Sequence, residues 1–329
     1  MSQPDPPSSD DEDRWSSASD EEEPEPEIPP EDIPGMGLDR DDSDGLEEIV
    51  WIRGVRVELE KEKLTLTFRI EHGKGHIMEF YLSPLGHVRH CPQTDVLRRV
   101  LNVSFINGAV RYMFESMGDE FFATDVLDIQ LADQCDKNFD EDTTEEMKEV
   151  KEQFIKELVA HFSALPHRVK AEKFCLAMYE KEEDVLRLLP YIEPGTLKSI
   201  TLVAKNRRGP FATNDIAEME QWKKAKELTA LDMSVVLNID NWLHFDKCDV
   251  HGVKMTFETF MTILENYKER RNVHRSSLSY IATEEERNEM RNYMNQFPRE
   301  GNFRIIDSGE LGIIKVWLTP MQIEIRRIQ

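Results

Sequence analysis

The sequence predicts an α/β protein: an N-terminal antiparallel β-meander followed by strands that alternate with helices. Three observations carry this expectation. Apolar and polar residues alternate between Ile49 and Val88, the period of a half-buried strand. Beyond residue 140, apolar residues recur at steps of three and four, the period of one helix face. Short strand-like runs lie between these helical stretches, their starts roughly twenty to thirty residues apart, which leaves room for one helix in each gap.

The meander is read from Val55, Val57 and Leu59, then Leu64, Leu66, Phe68 and Ile70, around a polar turn at Glu60–Lys63. Gly73–Gly75 makes the next turn, Met78, Phe80 and Leu82 continue, and Pro84–Gly86 turns again before Val88. A small antiparallel sheet over 49–91 follows. Thr143-x-x-Glu146 is a capping box, in which hydroxyl and carboxylate each satisfy an orphaned backbone N–H. Behind it Met147, Val150, Phe154, Leu158 and Phe162 form a helix face. Phe257, Phe260, Met261, Leu264 and Tyr267 mark a second helix, and Thr283-x-x-Glu286 starts a third with Met290, Tyr293 and Met294. The strand-like runs are Phe174–Met178, Ile200–Val203, Leu228–Met233, Lys247–Val250 and Ser277–Ile281. Parallel strands with helices on one face, stacked as an irregular leucine-rich-repeat-like array, are expected over 140–300. Ile305, Ile313, Val316, Ile323 and Ile325 mark two or three closing strands in 301–329.

Charge divides the chain. Of 65 acidic and 41 basic residues, the first 48 positions hold 19 Asp/Glu and 2 Arg, a net −17, so 46 acids and 39 bases leave the rest at −7. With 8 of the 16 prolines and few large apolar residues, 1–48 is expected to be a disordered acidic tail that buries too little surface to offset its entropy. Ser8, Ser9, Ser17 and Ser19 each precede an acid by three positions and are phosphorylation candidates for an acidophilic kinase. Residues 49–329 are expected to form the folded domain.

The same arithmetic argues against nucleic acid and anionic membranes as partners, because both need a basic excess. No signal peptide or bilayer-spanning stretch is read, so an intracellular soluble protein is expected, with cytoplasm and nucleus undistinguished. Cys91, Cys135, Cys175 and Cys248 are scattered without metal spacing. His72, His76, His87, His90 and Cys91 form the one dense His/Cys cluster, and their spacings match no standard metal site. No Walker loop, GxGxxG, GxSxG or HExxH is present. The expectation is a non-enzymatic protein with no catalytic residue, no metal and no cofactor.

Residues Asp184–Ile200, DVLRLLPYIEPGTLKSI, carry a leucine-leucine-proline-tyrosine run followed by proline-glycine-threonine-leucine. Glu218–Leu228, EMEQWKKAKEL, carries glutamine-tryptophan-lysine, and His244–Phe245 follows in the next unit. These segments resemble the nematode FTH domain, also called domain of unknown function 38, over roughly 140–300 and more weakly over 49–139. The matching positions are Leu188, Leu189, Pro190, Tyr191, Pro194, Gly195, Thr196, Leu197, Gln221 and Trp222. Their physical reading is architectural: Pro190 stops a helix, and Pro194–Gly195 suits the centre of a type II turn. The resemblance implies an F-box-associated module that recognises substrates of cullin-based ubiquitin ligases. No F-box is visible, since 1–48 is not periodic and Ile49 onward reads as strand. The alternative is an acidic-tail binder or chaperone of basic proteins such as histones.

In an open strand–helix array the sheet face away from the helices is free for a partner. Alternation sends Phe174, Leu176, Met178, Ile200, Leu202, Leu231, Met233 and Val250 inward. It sends Ala177, Thr201, Val203, Asp232, Asp249, Ser277 and Ser279 outward, and this mostly small or polar column is the candidate protein-binding surface. The basic runs Lys205–Arg208 and Lys268–Arg275 read as loops between helix and strand.

Overall fold

Strands begin where the alternation begins. In the computed structural model, which describes residues 52–60, 62–70, 75–117, 123–131, 141–178, 182–204, 210–212, 214–231, 234–236 and 239–328, the meander comprises β1 (Ile52–Leu59), β2 (Lys63–Ile70), β3 (His76–Ser83), β4 (Gly86–Cys91) and β5 (Val96–Leu101). The chain separates into Met1–Glu48 and a second unit, Ile49–Gln329. The acidic tail with its four candidate serines, His72, Cys135, Lys205–Arg208, Asp232 and Met233 lie outside the described residues.

The meander is longer than the alternation predicted. β5 adds a fifth strand, and it escaped notice because none of its residues is buried, so it has no inward face to impose a period. Next come α1 (Phe105–Met117) and β6 (Ala123–Gln130), also unpredicted. The repeat region then reads α2 (Glu141–Ala164), β7 (Lys170–Met178), α3 (Glu183–Leu188), β8 (Ser199–Ala204), β9 (Pro210–Ala212), α4 (Asn214–Ala217), α5 (Glu220–Lys224) and β10 (Glu227–Leu231). It continues through β11 (Ser234–Val236), β12 (Lys247–Lys254), α6 (Phe257–Glu269), β13 (Arg275–Ile281) and α7 (Glu284–Met294). β14 (Arg299–Glu300), β15 (Phe303–Asp307), β16 (Ile313–Leu318) and β17 (Gln322–Ile328) close the chain.

Fifteen strands form one sheet with the order β14-β15-β16-β17-β13-β12-β10-β8-β7-β6-β1-β2-β3-β4-β5. The meander is therefore not a separate body: β1 pairs in parallel with β6, and β6, β7, β8, β10, β12 and β13 continue in parallel. β17 turns the direction at β13, and the last strands are antiparallel. β9 and β11 pair separately. From β6 to β13 each parallel strand of the large sheet lies beside the one before it, because short connections of helices or helical turns, joined by β9 and β11 in the middle, carry the chain back to the same edge.

One parity of the strands is buried against the helices: Phe174 and Leu176, Ile200 and Leu202, Leu228 and Ala230, Cys248 and Val250, and Leu278. The helices return Phe154, Leu158, Phe260, Leu264 and Met290 to the same core. Each large apolar side chain so buried contributes about 1.5–3 kcal/mol. Among the described residues no helix is long and apolar enough to cross a membrane.

Three local expectations met different outcomes. At Thr283 the capping box forms, with Glu286 N–H donating to the Thr283 hydroxyl at 3.2 Å and Thr283 N–H to the Glu286 carboxylate at 2.8 Å. At Thr143 the helix starts earlier than expected: α2 begins at Glu141, which puts Thr143 within its first turn, and the side chains of Thr143 and Glu146 lie outside the described residues. Pro190 ends α3 as expected, with a short 3-10 turn over Leu189–Tyr191. The turn at Pro194–Gly195 is not type II, because Gly195 has no positive φ. Leu197 N–H reaches the Glu193 carbonyl at 3.2 Å, so the chain coils in a helical sense instead.

Candidate protein interface

The signature residues build connections between successive units. Leu188, Leu189, Leu197 and Trp222 are buried, and Gln221 is only 4% exposed. The Gln221 amide donates to the Ile192 carbonyl at 2.9 Å and the Pro190 carbonyl at 3.2 Å, so it holds the segment that proline leaves without helix partners. Tyr191 stacks on Phe162 and accepts from the Ser163 hydroxyl at 2.9 Å. The Trp222 indole donates to the Asn241 carbonyl at 2.6 Å and meets Phe245 edge-on at 5.1 Å. His244 Nε2 donates back to the Trp222 carbonyl at 2.9 Å, and burial holds its ring below the ordinary imidazole value.

The pattern repeats in the next two units. Arg270 donates to the carbonyls of Leu243, His244 at 2.6 Å and Phe245 at 3.2 Å, and pairs with Asp246 at 3.0 Å. Arg327 donates to the carbonyls of Tyr267 and Lys268, which end α6, and to Leu311. In each case one long polar side chain satisfies the carbonyls where the preceding unit turns, groups that a helix end leaves unpaired. Sequence reading found Gln221 and Trp222 but not Arg270 or Arg327, because a single arginine in a charged run carries no periodic signal.

Among the described residues no helix lies on the other parity of the strands. Its middle row follows register from Arg56 to Asp128, Cys175, Thr201, Thr229, Asp249, Ser277 and Glu324. The centre of this row, Cys175, Thr201 and Thr229, is small, uncharged and half-buried. Charged pairs flank it: Arg56 donates to Asp128 at 2.8 Å on one side, and Arg275 and Arg326 bracket Glu324 at 2.9 and 2.6 Å on the other. Burial, with Asp128 alongside, pushes the Cys175 thiol up. One register step along the strands lie Ala177, Val203 and Leu231, and one step the other way lie Lys173, Ser199, Glu227 and Lys247. The face thus grades from apolar to charged across three rows, the arrangement of an apolar patch with a polar rim.

The predicted surface residues are placed unevenly. Thr201, Val203, Asp249, Ser277 and Ser279 are half-buried and lie on the helix-free face by register, and Ser277 accepts from the Gln322 amide at 2.9 Å. Ala177 shares the face but is 1% exposed. Its methyl group lies between the cross-strand neighbours Gln130 and Val203, which stand taller. Leu231, predicted inward, lies opposite Val203 on the helix-free face, and Ala230 takes the core position. β10 has leucines at both parities, so period two alone could not fix its phase. The side chain of Met178 is outside the described residues.

The described histidines of the dense cluster diverge. His87 is buried with Nδ1 2.9 Å from the Val103 carbonyl, His76 contacts the Tyr112 hydroxyl at 3.2 Å, and His90 contacts Glu79 at 3.0 Å. Among the described residues no three His, Cys, Asp or Glu side chains converge. A cleft at the N-terminal ends of the parallel strands is lined by Arg53, Asp125, Lys170, Glu172, Thr196 and Lys198. Its charges mostly neutralise one another, with Arg53–Asp125 at 3.0 Å and Lys198–Glu172 at 2.5 Å.

No curated protein and no solved structure matches the chain. The stretch that contains the buried signature, from within α2 to just beyond α7, matches a family model: residues 152–297 match the FTH domain.

Proposed function

We propose that the helix-free face of the sheet binds another protein, and that the chain acts as a non-enzymatic interaction module. The observation that supports this reading is the graded surface around Thr201 and Thr229: half-buried, small in the centre, apolar at Val203 and Leu231, and rimmed by ion pairs. A flat sheet face with this composition offers contact area without strong desolvation cost. We read the strand–helix units as a divergent leucine-rich-repeat-like array, in which such a face is the usual binding surface. By family analogy, an associational argument, the bound protein is a substrate of a cullin-based ubiquitin ligase whose F-box is supplied elsewhere.

A second reading rests on the −17 charge of residues 1–48: the acidic segment itself holds basic proteins such as histones. Affinity purification separates the two, using the full chain, residues 49–329, and the full chain with Thr201→Arg and Thr229→Arg, each scored for ligase adaptor and cullin. The first reading expects partners to survive removal of 1–48 and to be lost with the two arginines. Partners that follow the acidic segment and leave at moderate salt overturn it. Absence of adaptor and cullin from every arm removes the ligase role alone.

A further inference from the structure

We propose that β5, the outermost strand beside β4, is a docking edge that takes an extended acidic segment of another protein as an additional strand. The surface lies outside the FTH segment, so the inference is independent of the function proposed for the helix-free face. In antiparallel pairing only alternate residues of β5 direct their N–H and C=O toward β4. The other main-chain groups point away from the sheet and are free to pair with an incoming strand.

The edge backbone is fixed from both ends. Asp95 (φ 53°) and Asn102 (φ 60°) turn the chain before and after it. Thr94 N–H donates to the Cys91 carbonyl at 3.2 Å and Asn102 N–H to the Leu85 carbonyl at 2.8 Å. Such a strand pays little ordering entropy on pairing.

Its side chains specify the occupant. Val96, Leu97 and Leu101 are 45%, 66% and 55% exposed. Exposed edges are ordinarily blunted by shortness, a covering element, proline or charge, and of these β5 has only the two adjacent arginines Arg98 and Arg99. Arg98 stands in register opposite Arg89, and like charges directly opposite on one sheet face destabilise the pair. The Arg89 guanidinium lies 5.4 Å from the Tyr112 ring centre. Among the described residues neither Arg89, Arg98 nor Arg99 makes an ion pair, although acids outnumber bases in the chain. Among the described residues, unmade main-chain bonds, arginines without an ion pair and exposed apolar side chains therefore coincide on one six-residue strand.

Successive strand residues point to opposite faces, so the fitting segment has two adjacent acids flanked on both sides by apolar pairs. One acid meets Arg98 and Arg89 on the helix-bearing face, and the other meets Arg99 on the opposite face. The apolar flanks cover Val96 with Val100 and Leu97 with Leu101. A second copy of β5 is a poorer occupant, because antiparallel pairing centred on the strand sets Arg98 of each copy opposite Arg99 of the other.

The test is fluorescence anisotropy of the full chain with a labelled peptide of two central glutamates, each side flanked by a leucine and a valine. A peptide with lysines for the glutamates and one N-methylated at alternate amides serve as comparisons. The glutamate peptide should bind, and N-methylation should abolish binding. Arg98→Glu with Arg99→Glu should weaken the glutamate peptide about tenfold or more and strengthen the lysine peptide, a gain that a misfolded variant would not give. Equal binding of both peptides to the wild-type chain, or no binding, overturns the proposal. A wild-type dimer that the double substitution dissociates overturns it too, and assigns the edge to a second copy.

Discussion

Lys151 on α2 and Asp184 on α3 form a buried ion pair at 3.3 Å, with Asp184 1% and Lys151 7% exposed. We expect Lys151→Met to expose its cost in a pH-dependent way. Burial is the largest influence on Asp184 and raises its pKa, and Lys151 opposes that rise. Removing the ammonium leaves a desolvated carboxylate, which costs about 3–5 kcal/mol if it stays ionised. It can instead take a proton. At pH 7 this costs a carboxyl of ordinary pKa near 3.9 about 4 kcal/mol, and about 1.4 kcal/mol less for each pH unit below that. The sign follows from linkage: an acid whose folded pKa is raised binds its proton more tightly when folded, so stability falls as pH rises from the ordinary carboxylate value through the raised one. The difference between variant and wild type should therefore be about 3–4 kcal/mol at pH 7 and about 1.5 kcal/mol at pH 5. Urea unfolding followed by fluorescence of the buried Trp222 and Trp242 measures it. Lys151→Met with Asp184→Leu should recover most of the loss, because an apolar pair needs no desolvated charge. A loss below about 1 kcal/mol, or one that does not shrink at pH 5, would refute the reasoning.

Two further substitutions test other parts of the architecture. Gln221→Leu should cost about 1–3 kcal/mol by denaturant unfolding, since it leaves the Pro190 and Ile192 carbonyls without their donor. Gly86→Ala should destabilise the β4–β5 hairpin by more than about 2 kcal/mol. A Cβ at that glycine would lie 2.0 Å from the Val100 carbonyl oxygen at φ +153°, and hydrogen exchange of β5 amides would report the loss locally.

Most strands with one buried face were legible in the sequence, although β6, which buries Leu127 and Ile129, was missed, and β5, which has none, left no signal. β7, β8, β12 and β13 carry most of their large apolar residues at one parity and were found within a few residues. β5 has no buried residue and left no period to read. α1 was hidden partly by Gly108, a poor helix former. Its position is explained only in three dimensions, because a Cβ there would meet the buried His87 ring at 2.3 Å. The turn at Pro194–Gly195 was misread because proline followed by glycine fits two turn types, and only the chain direction into Leu197 decides between them. On the helix-free face the column through Thr201, Val203, Asp249 and Ser277 followed from alternation alone. The Leu231 error is the expected failure of that method, since a strand with large apolar residues at both parities has no phase until its neighbours are known.

The residues that identify the FTH domain and the residues offered to a partner are different sets, and the chemistry explains the separation. Leu188, Leu189, Leu197, Gln221 and Trp222 are buried, and their polar atoms are used on neighbouring carbonyls. A side chain whose donors are already committed inside the array has none to give a ligand. Substituting such a residue changes stability first, and binding only as a consequence. Thr201 and Thr229 have the opposite character: they stand on a face that no helix covers, and arginine there can extend into solvent without opening a cavity. Surface changes of that kind alter folding by about 0.5 kcal/mol or less. Two chains could share the buried signature and present unrelated surfaces, so the signature fixes the scaffold, and in the function proposed above target choice is left to the helix-free face and the β5 edge. A substitution at Trp222 that abolished partner capture without lowering the unfolding midpoint would contradict this division.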